Sequence, residues 1–430
     1  MRIARCLLCC FLSWTAIPAE VAKLPEPYQT LAELARAAPP EFTADALLRL
    51  VEQGHLVDKN AKRELIEEAF RNAASAKFQV RMRGLPGTTT DTGSGSLSRA
   101  YDLKLDMLSL QSRAVRDMLP LNSAEARNLF TEITRPTLAP LTCDDALYYD
   151  LSDYYEALSA VVNGTFTPKE RAKDEPLNFL TDYLGQVSSP LELAPVAAAL
   201  GSVSATKQQR QGLWARLGGM METMQPDDRS YSASLLMLSS VNAPELASSL
   251  EKYRQKSHGC ESDAPSTKAS DKTPKLDAYW HSSGSQQMLQ PGKKLRYDKN
   301  NLPLSEADRS TPEWQQQVSD YLNQIADWTP DQEGSEADFY HEKCTVLTAL
   351  IELVPPGPEN DQIIADYVDF ISNSDLYQQS PAEWYLEPHT LLDRFQPGTS
   401  LHMKLLDAYQ RSGNPILSLE VALERSSRRQ

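Results

Sequence analysis

The chain lacks most of the signatures that would assign it a chemistry. Beyond its opening residues it has no long apolar run, so no later segment approaches the roughly 20 apolar residues a bilayer-spanning helix requires. Its six histidines are scattered at positions 55, 258, 281, 341, 389 and 402, which gives no spaced ligand set and no nucleophile partner. No Gly-x-Ser-x-Gly elbow, papain-like cysteine context or Gly-Lys-Ser/Thr phosphate loop occurs. Basic residues are outnumbered, 43 against 58 acidic, for a formal net charge of −15 with no basic stripe to offset it. That balance repels phosphate backbones and anionic lipid surfaces, so nucleic acid is excluded as a partner class. Strand signals are nearly missing too: Phe78-Gln79-Val80-Arg81-Met82 alternates, but it is short and isolated.

Six cysteines are present, and three of them, Cys6, Cys9 and Cys10, sit inside the opening apolar run instead of after it, unlike a lipoprotein anchor. That run has the grammar of a secretory leader. Arg2 and Arg5 precede Cys6–Ile17, and Ile17-Pro18-Ala19 offers a small residue for cleavage before Glu20. Residues 1–19 therefore read as a signal peptide, and the mature chain as exported to a periplasmic or extracellular space, with no membrane span once the leader is removed. Cys143, Cys260 and Cys344 then remain. They allow one disulfide in any of three pairings with one thiol over, or three small buried core residues.

What the sequence has in abundance is helix punctuation. Thr167-Pro168-Lys169-Glu170, Ser189-Pro190-Leu191-Glu192 and Ser380-Pro381-Ala382-Glu383 each read as a hydroxyl cap, a proline at the first helical position and a glutamate closing a capping box. Thr329-Pro330-Asp331-Gln332 is a weaker copy, and Thr311-Pro312 and Asn414-Pro415 give cap and proline without the box. Phe42-Thr43 before Ala44 suggests a cap at Thr43 with a hydrophobic staple from Phe42 to Leu47. Between these starts, apolar residues fall at helical spacing, as in Leu65, Ile66, Ala69 and Phe70, or Leu347, Leu350, Ile351 and Val354.

The expected fold is all-α: antiparallel helical hairpins in a helical-repeat-like α-α superhelix, with a long irregular segment. The division is a helical unit at 23–256, a linker or irregular strap at 257–310, and a second helical unit at 311–430. Within the strap Tyr279, Trp280, Met288 and Leu289 are the residues equipped to dock on a groove. Gly84–Ser96, rich in Gly, Thr and Ser, reads as a mobile surface loop.

Several local strings touch on chemistry. Asp91-Thr92-Gly93-Ser94 matches an aspartic-protease string, but it has no second copy and no apolar residues before it. His341-Glu342-Lys343-Cys344 places His341 and Cys344 three apart on a helix. Two ligands are too few for zinc, and a set completed by His258 and Cys260 lacks matching spacing, so His341 reads as a surface histidine beside a buried cysteine. Asn163-Gly164-Thr165 is a glycosylation sequon.

The most distinctive run is Asp144–Glu156. On a continuous helix Tyr148, Leu151, Tyr155 and Leu158 would face the core, while Asp145, Tyr149, Asp153 and Glu156 would share an outer face. Tyr149, Asp153 and Glu156 are thus the candidate interaction surface, suited to cationic peptides or sugars. No catalytic, metal or cofactor-binding residues are assigned, and no cofactor is expected. The function expected is an exported, non-catalytic scaffold or a protein- or peptide-binding module. The alternative is a secreted all-helical hydrolase using acidic residues on a polysaccharide or peptide.

Overall fold

The protein's computed structural model describes residues 24–53, 56–84, 93–224, 228–239, 244–255, 294–300, 302–330 and 335–427, with positions 241, 288 and 292. The leader at 1–19, Asp91, His55, Cys260, His258, His281, the Asp331-Gln332 pair, Tyr279, Trp280 and Leu289 lie outside the described residues. In chain order come helices α1 (Glu26–Arg36), α2 (Pro40–Glu52) and α3 (Lys59–Ala73), and strand β1 (Met82–Gly84). Then follow α4 (Gly93–Asp102), α5 (Met107–Met118), α6 (Ser123–Glu132) and strand β2 (Leu147–Tyr149). Next are α7 (Ser152–Gly164), α8 (Pro168–Arg171), α9 (Glu175–Leu184), α10 (Leu193–Ser202) and α11 (Lys207–Thr223). After α12 (Asp228–Ser239) and α13 (Ala247–Gln255) the chain reaches α14 (Glu306–Arg309) and α15 (Pro312–Ala326). It closes with α16 (Glu336–Leu353), α17 (Pro358–Ser372), α18 (Leu376–Gln379), α19 (Pro381–Asp393), α20 (Ser400–Arg411) and α21 (Pro415–Ser427).

Helix makes up 72% of the structure against two three-residue strands, which establishes the all-α class but does not order the hairpins into a superhelix. Among the described residues, no helix is long and apolar enough to cross a membrane. Neighbouring helices pack in sequence order, α2 on α3, α3 on α5, α5 on α7 and α7 on α10. Long-range packing also joins the ends: α1 lies on α21, and α4 lies on α19. One large cluster of buried apolar residues runs from Leu31 to Leu423, with a small second one at Leu141, Tyr148, Leu191 and Ala233.

The capping chemistry accounts for many of the boundaries. The boxes at Thr167–Glu170 and Ser189–Glu192 form as the sequence implies, the second opening a 3-10 turn, Pro190–Glu192. Thr311 caps α15, and the Asn414 side chain accepts from the amides of Ile416 and Leu417. Two expected caps do not form. Helix α2 begins three residues earlier than its cap signal, at Pro40, and the Thr43 hydroxyl inside it donates to the Ala35 carbonyl at 2.7 Å. At α19 the Ser380 side chain caps nothing, its amide donates to the Leu376 carbonyl at 2.8 Å, and Glu383 lies against His341.

Two further expectations are corrected, and the sequon residue Asn163 takes on a structural part. Leu147–Tyr149 is a strand, paired antiparallel with Met82–Gly84 so that Met82 faces Tyr149. The Asp150 amide extends the pairing to the Arg81 carbonyl, and the Asp150 carboxylate accepts from the Ser152 amide at the start of α7. The run from 144 to 156 is therefore broken between Tyr149 and Ser152. Gly93–Ser96, expected in a mobile loop, is the first turn of α4, and Ser94, Gly95 and Ser96 are buried. Asn163 is not an idle surface sequon: its amide group donates to the Ser202 carbonyl at 3.0 Å and accepts from the Ser204 amide at 2.9 Å. Of the cysteines, Cys143 is disulfide-bonded and Cys344 is a free, buried thiol.

Helix α19 carries Pro388 in its interior. Proline has no N–H to give the carbonyl four residues back, so the Trp384 carbonyl loses its helical partner. The Tyr340 hydroxyl of α16 donates to that carbonyl at 2.7 Å. Two more bonds fasten the helix: Trp384 Nε1 donates to the Ile371 carbonyl, and the Tyr409 hydroxyl to the Pro388 carbonyl. All three tyrosine and tryptophan side chains are essentially inaccessible. Replacing Tyr340 with Phe leaves the buried carbonyl unpaired and is expected to cost about 1–3 kcal/mol in denaturant unfolding. The same substitution made in a Pro388→Ala background should cost clearly less, since the new amide can take the Trp384 carbonyl. Equal losses in both backgrounds would refute this account of the helix.

Candidate functional site

The three candidate surface residues are dispersed by the break at residues 150–151. Tyr149 is half-buried on β2, Glu156 is exposed and pairs with Arg116 at 2.9 Å, and Asp153 is buried. Asp153 accepts from Arg81 at 3.1 Å, Lys104 at 3.0 Å and the Ser109 hydroxyl at 3.2 Å, while Asp150 pairs with the same Arg81 at 2.9 Å. These groups hold β1, β2, α5 and α7 together. Nearby Asp106 is pushed up to about 6, first by burial, against the opposing hydrogen bonds from Ser109. Asp153 therefore belongs to an internal ion-pair network and is not free to meet a ligand.

The helix that Asp153 opens does serve a surface feature through the residue two places on. Between α6 and β2 the chain from Thr134 to Leu141 forms neither helix nor strand and makes no backbone-to-backbone hydrogen bond. Pro136 and Pro140 each hold φ near −65° and push the preceding Arg135 and Ala139 out of the helical region. Thr134, Thr137, Ala139 and Pro140 are exposed, whereas Ile133 and Leu141 are buried and pin the two ends. The result is a partly exposed ledge whose amides and carbonyls have no backbone partner among the described residues.

Arg135 fixes the ledge. Its guanidinium pairs with the buried Glu192 carboxylate, donates to the Tyr155 hydroxyl at 3.3 Å and donates to the Gln186 carbonyl at 2.7 Å. Glu192 is saturated, accepting also from the Tyr155 hydroxyl at 2.5 Å and from the amides of Ser188 and Ser189 at 2.9 and 3.1 Å. Burial, followed by the Glu192 charge, holds the Tyr155 hydroxyl well above its ordinary pKa, so it remains a donor.

Two open pockets flank the ledge and share Arg135, Pro136 and Thr137. One, of about 750 Å³, is floored by Phe70, Met107 and Gln111 and edged by Arg71 and Glu132. The other, of about 340 Å³, lies against Leu138, Leu151 and Ser188–Pro190. Arg71 and Glu132 are exposed and carry no ion pair among the described residues. Sequence reading missed this site because it consists of what the chain leaves unpaired. The signal available was the Arg-Pro-Thr-Leu-Ala-Pro spacing, which interrupts helix twice in five residues.

A second open pocket system, of about 430 Å³, sits where α2, the end of α4 and α5 meet. There Arg113 grips Glu52 with two bonds of 2.6 and 2.5 Å and Asp45 with one of 2.7 Å, while Arg49 meets Asp45 at 2.8 Å. Asp117 in the same pocket is pushed up to about 7, first by burial and then by the neighbouring Glu52 charge. It therefore retains its proton in a substantial fraction of molecules at neutral pH.

His341 departs from the surface role its sequence suggests. It is buried between two carboxylates of α19, with Nδ1 at 2.7 Å from Glu387 and Nε2 at 3.4 Å from Glu383. Burial alone would lower its pKa, but the hydrogen bonds and charges of the two glutamates outweigh it and raise the imidazole to about 9. Cys344 is held well above its ordinary value by burial, so the two do not form an activated thiol. No group of three or more metal-binding side chains occurs among the described residues.

Because His341 binds its proton more tightly folded than unfolded, its contribution to stability is complete below about pH 6.5 and is lost as pH rises through about 9. Asp106, raised to about 6, has the same sign at lower pH, its contribution fading from about pH 4 upward. Denaturant midpoints measured from pH 4 to 10 should therefore fall with pH in both ranges. His341→Gln should flatten only the alkaline fall and Asp106→Asn only the acidic one; an unchanged alkaline slope in His341→Gln would show that the imidazole does not carry it. Compared with protein-family models, curated proteins and solved structures, the chain matches none.

Proposed function

We propose that the protein is an exported, non-catalytic helical module that holds an extended segment of a partner protein along Thr134–Leu141. The observation that carries this reading is the ledge itself: a pinned stretch of unpaired backbone between two open pockets. An extended peptide gains affinity from main-chain hydrogen bonds and selectivity from side chains entering pockets to either side, which is the pattern of strand addition. In an extended chain successive residues turn their amides to opposite edges. Pro136 and Pro140 fall on one edge, which leaves the amides of Arg135, Thr137, Ala139 and Leu141 intact on the other. The acidic balance favours partners of neutral or positive charge, and the leader-like start supports encounter outside the cytoplasm.

Selection from a library of linear peptides, followed by fluorescence polarisation, is expected to yield binders that lose about tenfold or more in affinity on Thr137→Pro or Ala139→Pro. Those substitutions remove one donor each at exposed positions, so helicity and melting should be unaffected. Selected peptides that bind both proline variants as tightly as the parent would place binding elsewhere and sink the proposal.

One observation favours the hydrolytic alternative: a protonated Asp117 beside the ionised Glu52 in an open pocket is an acid–base pair of the kind glycoside or peptide hydrolysis uses. Arg113 already holds both Glu52 and Asp45 in ion pairs, which competes with a substrate for them. Under this reading, turnover of a polysaccharide or peptide panel would be abolished by Asp117→Asn and would decline as pH rises through about 7. Turnover that survives Asp117→Asn would exclude this pocket as its source.

A further inference from the structure

The strap's end returns to the helices at residues 294–300 and 302–304, which pair as a small hairpin. Tyr297 bridges Pro303, the Leu304 amide donates to the Arg296 carbonyl at 2.9 Å, and the Asp298 amide donates to the Leu302 carbonyl at 2.8 Å. Leu295 is buried beneath it and accepts from Trp314 Nε1 at 3.1 Å, so the hairpin is anchored to α15. Beside the anchor lies a cavity of about 320 Å³ between the hairpin, Tyr321 of α15 and the α16 stretch Thr345–Leu353. Its floor is Val346, Ala349, Leu350 and Leu353, and at its mouth stand Arg296 and Tyr297.

Arg296 belongs to a minority of half-buried arginines, with Arg63, Arg99 and Arg309, that meet no carboxylate among the described residues. Arg81, Arg113, Arg127 and Arg135, each buried or half-buried, all have carboxylate partners. Arg296 is half-buried and, among the described residues, has no carboxylate or carbonyl partner for its side chain. Its charge lies close enough to the Tyr321 hydroxyl to oppose the rise that burial imposes on that group, which reaches about 12. Arg296 and Tyr321 are thus both part of the lining of a largely apolar cavity. The Tyr321 hydroxyl donates to the Met288 carbonyl at 2.7 Å and keeps its lone pairs toward neighbouring donors. Tyr297 and Leu302, 39% and 60% exposed, are two of the few large apolar side chains left open to solvent, and both belong to this hairpin.

We propose that this cavity is a binding site for a free medium-chain carboxylate, with the alkyl chain on Val346, Ala349, Leu350 and Leu353 and the carboxylate on Arg296. A partly desolvated guanidinium facing a small apolar cavity is complementary to an amphiphile with one chain and one anionic, planar head, which it can grip with two parallel bonds. The volume lies at the low end for small-molecule sites, which run from roughly 300 to 1,000 Å³, so one short chain fits and a two-chain lipid does not. The site is separate from the Thr134–Leu141 ledge and is independent of the peptide-binding reading.

Calorimetric titration of the full mature chain with octanoate, decanoate and dodecanoate, each below its micelle concentration, tests the proposal without any variant. Saturable one-to-one binding is expected, tightening by about fourfold per added methylene until the cavity is full. Dodecanol should bind at least tenfold more weakly than dodecanoate, and Arg296→Gln should remove that preference while leaving dodecanol unchanged. Ala349→Phe should abolish binding of both; if that variant melts early, the chain-length series and Arg296→Gln still decide. Equal binding of the alcohol and the carboxylate, an unaffected Arg296→Gln variant, or affinity without dependence on chain length would each overturn the assignment. So would binding to phosphatidylglycerol vesicles with no competition from dodecanoate, which would indicate a membrane surface as the occupant.

Discussion

The structure turns on a helix that cannot complete its own hydrogen bonds. Pro388 leaves a carbonyl orphaned inside α19, and the chain answers by bringing Tyr340 of α16 to it. That bond sets the rotation of α16 against α19, and the residue after Tyr340 is thereby delivered between Glu383 and Glu387. On its other side α19 presents Tyr385 to Phe42 of α2, ring to edge at 5.1 Å, with the Tyr385 hydroxyl donating to Glu420 of α21 at 2.5 Å. Helix α4 packs on the same strut. The late helices are thus fixed to one another by polar contacts of strict geometry, and the early helices α2 and α4 pack on the strut they hold.

Buried charge of this kind does not stabilise a fold by itself, since desolvation offsets most of the attraction. Its consequence is selectivity among packings. A rotated α19 would leave the His341 imidazolium, a carbonyl and two carboxylates without partners, each loss amounting to kcal/mol, whereas a slipped apolar seam would lose far less. Glu192 applies the same logic at the ledge. With four donors converging on it, Arg135 has one available position, and the backbone it carries is ordered before any ligand arrives. Preorganisation of that sort lowers the ordering cost of association, which otherwise consumes much of the gain from new contacts.

Local signals were legible where the partner lay within four residues. The Thr167 and Ser189 boxes and the Thr311 and Asn414 caps needed no tertiary information. Ser380-Pro381-Ala382-Glu383 has the same letters and fails: the Ser380 amide is already donated to the Leu376 carbonyl at 2.8 Å, and the Glu383 carboxylate lies against the buried His341 of another helix. Tyr148 and Tyr149 fit helical spacing as well as they fit a strand, and only β1, more than sixty residues earlier, decides between them. Gly93–Ser96 has loop composition, yet its small side chains are what permit a buried first turn. Tyr149, Asp153 and Glu156 were grouped on the assumption of one unbroken helix. Once Asp150 ends the strand and starts α7, Asp153 turns inward to Arg81 and the shared face disappears.

The site itself was invisible for a different reason. Periodicity and capping report where a chain satisfies its own polar groups. A binding surface is the complement of that account. The exposed amides from Thr134 to Leu141 and the unpaired guanidinium of Arg296 are places where donors are held in position without an internal acceptor. Exposed backbone in a flexible loop can be dismissed as solvated chain. Here Ile133 and Leu141 are buried, Arg135 is locked to Glu192, and prolines restrict the stretch between them, so the open donors are fixed in space. Constrained backbone left unpaired among the described residues is what the proposed binding of another chain's acceptors requires.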